Sequence, residues 1–203
     1  MHRSEFEDAG LFTAVPPTPT AGHHHRLAAE DLTTTPWARW LADPLVRERY
    51  HSKIYRPTDP SACHFWLGAI SDTGHGSFRA GSLPGRTRRG TVPAHLFGYQ
   101  LAHGPIPRLV DEAFEPTVCH RCDNHSCQNP AHLRLGTAAE NRSEWLARRG
   151  DPASPLADIR GPAGRARAIA RTIRAAQTAG EDETAIASRV GAVINAGTPF
   201  TLW

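Results

Sequence analysis

Residues 118–141 read V-C-H-R-C-D-N-H-S-C-Q-N-P-A-H-L-R-L-G-T-A-A-E-N. Four residues separate Cys122 from Cys127, and four more separate Cys127 from His132. Thiolate and imidazole at such short, regular intervals are the donors of a closed tetrahedral zinc site, which needs four ligands. Two cysteines compete for the fourth place. Cys119 would complete a compact local knuckle, whereas the distant Cys63 would tie an upstream strand to this loop. The stretch also holds a histidine the metal does not need, His120, and an asparagine just beyond the last ligand, Asn141. Ligands explain a fold, and the two spare side chains beside them suggest chemistry.

Around this stretch the chain is rich in Pro and Gly, 17 of each in 203 residues, which favours short elements and many turns over long helices. All four cysteines lie between 63 and 127. In a reducing compartment such clustering reads as metal binding rather than disulfide bonding. The N-terminal residues are acidic and lack the apolar core of a secretory signal, and no apolar run is long enough for a membrane span; the expected location is cytoplasmic. The formal charge is only +3, but it is unevenly spread. Residues 79–108 carry five Arg and no acid, and residues 134–174 carry nine Arg against four acids. That asymmetry fits an anionic partner, although codon bias, in a chain with one Lys (Lys53) and otherwise only Arg, explains it equally well.

Patterning places the elements. Residues 1–35, rich in Pro, Thr and Ala, read as a disordered leader. Residues 36–50 read as helix with Trp37, Trp40, Leu41, Leu45 and Val46 on one face and a break at Pro44. F-W-L-G-A-I, S-D-T-G-H-G and S-F-R-A (residues 65–80) predict strand, tight turn, strand, and residues 86–92 a third strand. Helices are expected over 94–103, ended by Gly104, and over 138–149, with Trp145 and Leu146 inward. A linker spans 151–163, and residues 164–203 form a helical extension. Its helix over 164–179 has an apolar stripe of Ile169, Ile173 and Ala176 opposite Arg167, Arg171 and Arg174, and a shorter helix spans 184–190.

The box spacing resembles the His-Cys box branch of the HNH (ββα-metal) nuclease superfamily, best known for homing endonucleases. There a catalytic His is followed by x-Cys, x4-Cys, x4-His and x8-Asn, and His120, Cys122, Cys127, His132 and Asn141 fit that series without a gap. C-H-F-W-L-G-A, G-H-G-S-F, A-H-L-F-G-Y-Q-L-A-H-G, N-P-A-H-L and G-T-A-A-E-N look like phage and bacterial HNH proteins, so the resemblance covers about residues 63–149. It implies an α+β fold in which a small antiparallel sheet feeds a zinc-bound ββα-metal motif with flanking helices, all within a nuclease domain over 36–150. It implies Cys63 rather than Cys119 as the fourth ligand of a structural Zn2+. It implies His120 as general base, Asn141 as ligand to a catalytic Mg2+ or Mn2+, and a middle-strand Arg steadying the developing charge, here Arg86 with Arg88 and Arg89 as rivals. The implied activity is DNA endonuclease on double-stranded DNA, with no membrane partner, in a bacterial or phage-infected host cell. Palindrome-cutting relatives are homodimers, which leaves a homodimer open. The chain departs from the family in lacking Cys after Cys127, so a second zinc site is absent, and in reading A-H-L at Ala94, His95 and Leu96 where phage relatives read A-H-R. His95 is accordingly expected to pack or cap. The alternative is a non-catalytic zinc-stabilised DNA-binding protein.

Overall fold

The computed structural model describes residues 36–81, 90–106 and 116–199. The leader (1–35) and the arginines Arg86, Arg88 and Arg89 lie outside the described residues. What is described is mixed helix and small antiparallel sheet.

Helix α1 (Pro36–Ala42) gives way to α2 (Pro44–His51) at Pro44. Asp43 caps the restart by accepting from Leu45 N at 2.9 Å and Val46 N at 3.4 Å, while Pro44 needs no donor at the first helical position. Trp40 of α1 and Val46 and Tyr50 of α2 face inward, but Leu45 is 69% exposed instead of joining them. Strand β1 (Ile54–Tyr55) pairs with β2 (Phe65–Trp66). The expected long strand over 65–70 divides here, because Ala69–Ile70 (β3) pairs instead with β4 (Gly76–Arg79), and β5 (Thr91–Pro93) completes a three-stranded sheet with β4 in the middle. The β3–β4 turn needs Gly74, at φ +87°, where a side chain would strike Pro162. Helix α3 (Ala94–His103) follows and ends at Gly104.

Trp40, Val46, Tyr50, Trp66, Phe78, Ala80, Ala94 and Phe97 form one apolar cluster under these elements. The rings of Tyr50, Phe78 and Phe97 lie 4.8–5.3 Å apart, centre to centre, in tilted and edge-on contact. The Tyr50 hydroxyl leaves the cluster to donate to Gln128 Oε1 at 2.9 Å, a buried bond that fastens the aromatic core to the cysteine loop.

A strand–strand–helix series follows. β6 (Thr117–His120) pairs with β7 (Leu133–Gly136), in register His120 to Leu133, and α4 (Ala138–Arg148) follows. Thr137 and Glu140 close a capping box at the start of α4. Trp145 and Leu146 are 37% and 45% exposed, and α4 contributes no buried residue, contrary to the inward orientation expected. Polar contacts hold it instead. Arg148 bonds Asp123 at 2.9 Å and Glu144 at 3.3 Å, and Glu144 also meets Arg134. After a 3-10 turn at Pro155–Ala157, α5 (Gly161–Thr178) and α6 (Glu183–Asn195) begin earlier and run longer, respectively, than their patterns suggested. Ile169, Ile173 and Ala176 of α5 and Ile186 and Val190 of α6 pack with Tyr55 and Phe65 in a second apolar cluster. Among the described residues no helix is long and apolar enough to cross a membrane.

Candidate metal centre and adjoining pocket

The loop between β6 and β7 is built by its own side chains. Asp123 takes a left-handed conformation (φ 55°), and Asn124 Oδ1 accepts from Ser126 N and Oγ at 3.2 and 3.0 Å, so the backbone folds back tightly. Asn129 accepts from Ala131 N at 3.1 Å through Oδ1 and donates through Nδ2 to the Pro60 and Ala62 carbonyls at 3.1 and 2.8 Å. The Asn-Pro pair thus shapes the turn before His132 and also staples the segment that delivers Cys63. Backbone bonds Trp66 N to Ser126 O (3.2 Å) and Gln128 N to His64 O (2.8 Å) lay residues 64–66 alongside 126–128.

The outcome is a cluster of Cys63, Cys122, Cys127 and His132 whose ligand atoms all lie within 4.8 Å of one another. His132 Nδ1 is 3.7 Å from Cys63 Sγ and 3.5 Å from Cys127 Sγ. A tetrahedral zinc with its usual Zn–S and Zn–N lengths implies an S···N edge of roughly 3.6 Å. These four residues can hold a metal such as zinc. Hydrogen bonds from Cys122 and Cys127 hold Cys63 far below the usual thiol range, while the Cys122 and Cys63 sulfurs, with burial, drive Cys127 far above it. A metal would bind the sulfurs as thiolates, so its binding would release protons from this cluster. Four protein ligands close the site, so this metal would be structural. Asn129 N points at Cys127 Sγ at 3.4 Å and supports it from behind.

Cys119 takes no part. Side chains alternate along β6, so Val118 and His120 face one way and Cys119 the other. Its sulfur meets the Thr117 carbonyl at 3.6 Å and lies beside Gly136.

Beside the cluster lies a pocket of about 320 Å³, and both His120 and Asn141 line it. The His120 ring is not a member of the metal cluster. Its Nε2–H donates to the Cys127 carbonyl at 3.1 Å. A carbonyl can only accept, so the neutral ring must keep its lone pair on Nδ1. Burial, against a smaller opposing effect of that carbonyl, brings His120 down to about 4, so the ring is neutral at pH 7. Asn141 closes the first turn of α4, is exposed, and lines the pocket.

Three more imidazoles gather around His120. The His95 and His75 ring centres are 4.8 and 5.8 Å away, and His75 stacks on His125 at 4.6 Å. His75 and His125 line the pocket. Thr73 orients both: its carbonyl accepts from His125 Nδ1 at 2.7 Å and its hydroxyl lies 2.9 Å from His75 Nδ1. Burial, with the neighbouring His125 and His120 rings, brings His75 down to about 3. His95 packs against His75 and His120, and its buried Nδ1 has no hydrogen-bond partner among the described residues, which fits packing rather than capping. Arg142, Trp145 and Arg148 form the α4 side of the pocket; Arg148 is engaged by Asp123, whereas Arg142 has no ion-pair partner among the described residues. Sequence reasoning missed His75 and Arg142. The G-H-G turn was a signal for the first; nothing local marked the second, because its place depends on how α4 crosses β6.

No protein-family model matches the chain, and no solved structure matches it. The chain is 30% identical over 87 residues to Protein 7.7 of Escherichia phage T7, a stretch that covers 42% of this chain and 56% of that protein. The chain therefore spans about half the length of this relative.

Proposed function

We propose that this chain is a divalent-metal-dependent endonuclease of the HNH kind that hydrolyses phosphodiester bonds in double-stranded DNA, leaving 5′-phosphate and 3′-hydroxyl ends. The observation that carries this reading is the placement of His120 and Asn141 on one pocket, with the His120 ring held by a backbone carbonyl and left out of the adjoining metal cluster. In this reading β6, β7 and α4 are the ββα-metal motif, and zinc on Cys63, Cys122, Cys127 and His132 keeps it rigid.

The Nδ1 lone pair of His120 removes a proton from water as its oxygen attacks phosphorus; the bond from phosphorus to the 3′-oxygen breaks, and that oxygen is protonated from solvent. The Cys127 carbonyl fixes the ring and stabilises the imidazolium that forms. Asn141, which lines the pocket, has a neutral amide oxygen to offer, whereas the Asp123 carboxylate is engaged by Arg148. A Mg2+ or Mn2+ ion held there together with phosphate oxygens would supply Lewis-acid stabilisation of the phosphoryl and leaving oxygens. Arg142 offers positive charge to the phosphate from α4, a part the family resemblance had given to Arg86. The Protein 7.7 relative fits action inside a phage-infected cell. The test is nicking of supercoiled plasmid by the zinc-loaded protein. Cleavage is expected with added Mg2+ or Mn2+ and none without; no cleavage under either condition would remove the reading.

A further inference from the structure

A second groove, of about 490 Å³, runs between α5 and the backbone joining β2 to β3. Lys53, Arg167, Arg171 and Arg174 line it. The three arginines follow helical spacing on the face of α5 opposite the buried Ile169, Ile173 and Ala176. Two of them are pinned rather than solvated at random. Arg174 Nη1 donates to the Leu67 carbonyl at 2.9 Å. Arg167 Nη2 donates to Asp72 Oδ1 at 3.1 Å and reaches the Ile70 and Ser71 carbonyls at 3.4 and 3.5 Å. Asp72 offsets one of the four cations; Lys53 and Arg171 have no ion-pair partner among the described residues, and no acidic side chain lines the groove itself. Like charges gathered this way repel one another unless an anion lies among them.

The β3–β4 turn connects this groove to the pocket. Asp72, within the turn, meets Arg167, and His75, at its end, lines the pocket with His120. Gly74 of the same turn lies against Pro162 in the first turn of α5. At about 1.5 Å rise per residue, Arg167, Arg171 and Arg174 span about 10.5 Å along the helix axis. One strand of a duplex advances about 3.4 Å along its axis per phosphate, so a row of this length laid along that axis covers about three such steps.

We propose that this groove is a second, non-catalytic site that holds the phosphate backbone of duplex DNA beside the cleavage pocket. It rests on the nuclease reading for its choice of polyanion, and the test separates the two. The zinc-loaded full chain is titrated, without added divalent ion, against a fluorescent duplex of arbitrary sequence at several salt concentrations. The parent is compared with the Lys53→Gln, Arg171→Gln double variant. Each lost phosphate contact lowers the slope of log affinity against log salt by about 0.9, so the double variant should lose about 1.8 in slope and roughly 30-fold in affinity near 150 mM salt. In plasmid nicking its KM should rise while kcat stays. Equal slopes and affinities in the two proteins would overturn the groove even if both nick. A parent that binds with the expected slope difference yet nicks nothing would leave the groove standing and overturn the nuclease. A substitution effect on single-stranded RNA but none on the duplex would overturn the assignment to DNA.

Discussion

Replacing His120 by Ala separates chemistry from architecture most cleanly. His120 is 8% exposed, and among the described residues its ring makes one directional contact, Nε2–H to the Cys127 carbonyl. Its removal leaves that buried acceptor unpaired, a cost of about 1–3 kcal/mol in stability. A positioned general base is worth about 10²–10⁴ in rate, or about 3–5 kcal/mol at roughly 1.4 kcal/mol per tenfold. The folded protein should therefore survive, melting at a lower temperature, while nicking drops by two to four orders of magnitude. Zinc content should stay at one per chain, because the ring lies outside the sulfur cluster. Free imidazole, able to enter the vacated space at the pocket of about 320 Å³, should restore part of the rate. Metal analysis, thermal melting and initial nicking rates are read on the same preparation. Cleavage at the parent rate would refute the assignment of the base. A rate loss that merely tracks loss of zinc would refute the separation of roles.

Other outcomes follow from the same contacts. Cys127→Ala should lose zinc and cooperative folding together, since structural zinc contributes about 10–16 kcal/mol against a typical net stability of about 5–15, whereas Cys119→Ala should keep full zinc stoichiometry; metal analysis with circular dichroism distinguishes them. Phe97→Ala, in the middle of the aromatic cluster, should cost about 3–5 kcal/mol in a urea melt. Asp158 is buried and bonded to Arg160 at 2.6 and 2.8 Å and to Arg165 at 3.2 Å. Burial alone would raise its carboxyl, but the Arg160 and Arg165 bonds outweigh that and hold it below the usual range. Its contribution is therefore complete above the unfolded value of about 3.9 and fades as pH falls through the lower folded value. Melts between neutral and acidic pH should show this fading in the parent, and Asp158→Asn should be weaker at neutral pH and flatter across the acid range.

Short-range features are legible in the order of residues. The helix over Ala94–His103, the restart at Pro44 and the apolar stripe of α5 follow from spacing and backbone restriction within a few residues. Features set by what an element rests on are not. The strand through residues 65–70 divides because its two halves find different partners, Ile54–Tyr55 and Gly76–Arg79. Trp145 and Leu146 read as core because apolar side chains on a helix usually are, yet α4 is held by Arg148, Asp123, Glu144 and Arg134 along a pocket rim.

Three residues of the candidate metal site were legible in the sequence. Cys122, Cys127 and His132 are close in the chain, and a loop turned by Asp123, Asn124 and Asn129-Pro130 has little freedom to separate them. Family resemblance pointed to Cys63, but only the tertiary structure brings its sulfur to the other three ligands, through antiparallel bonding of residues 64–66 to 126–128, and turns Cys119 to the far face of β6. The tertiary structure likewise decided that His75, His125 and Arg142 join His120 at one pocket. Those side chains come from three separate segments, and spacing along a chain carries no information about which segments will meet.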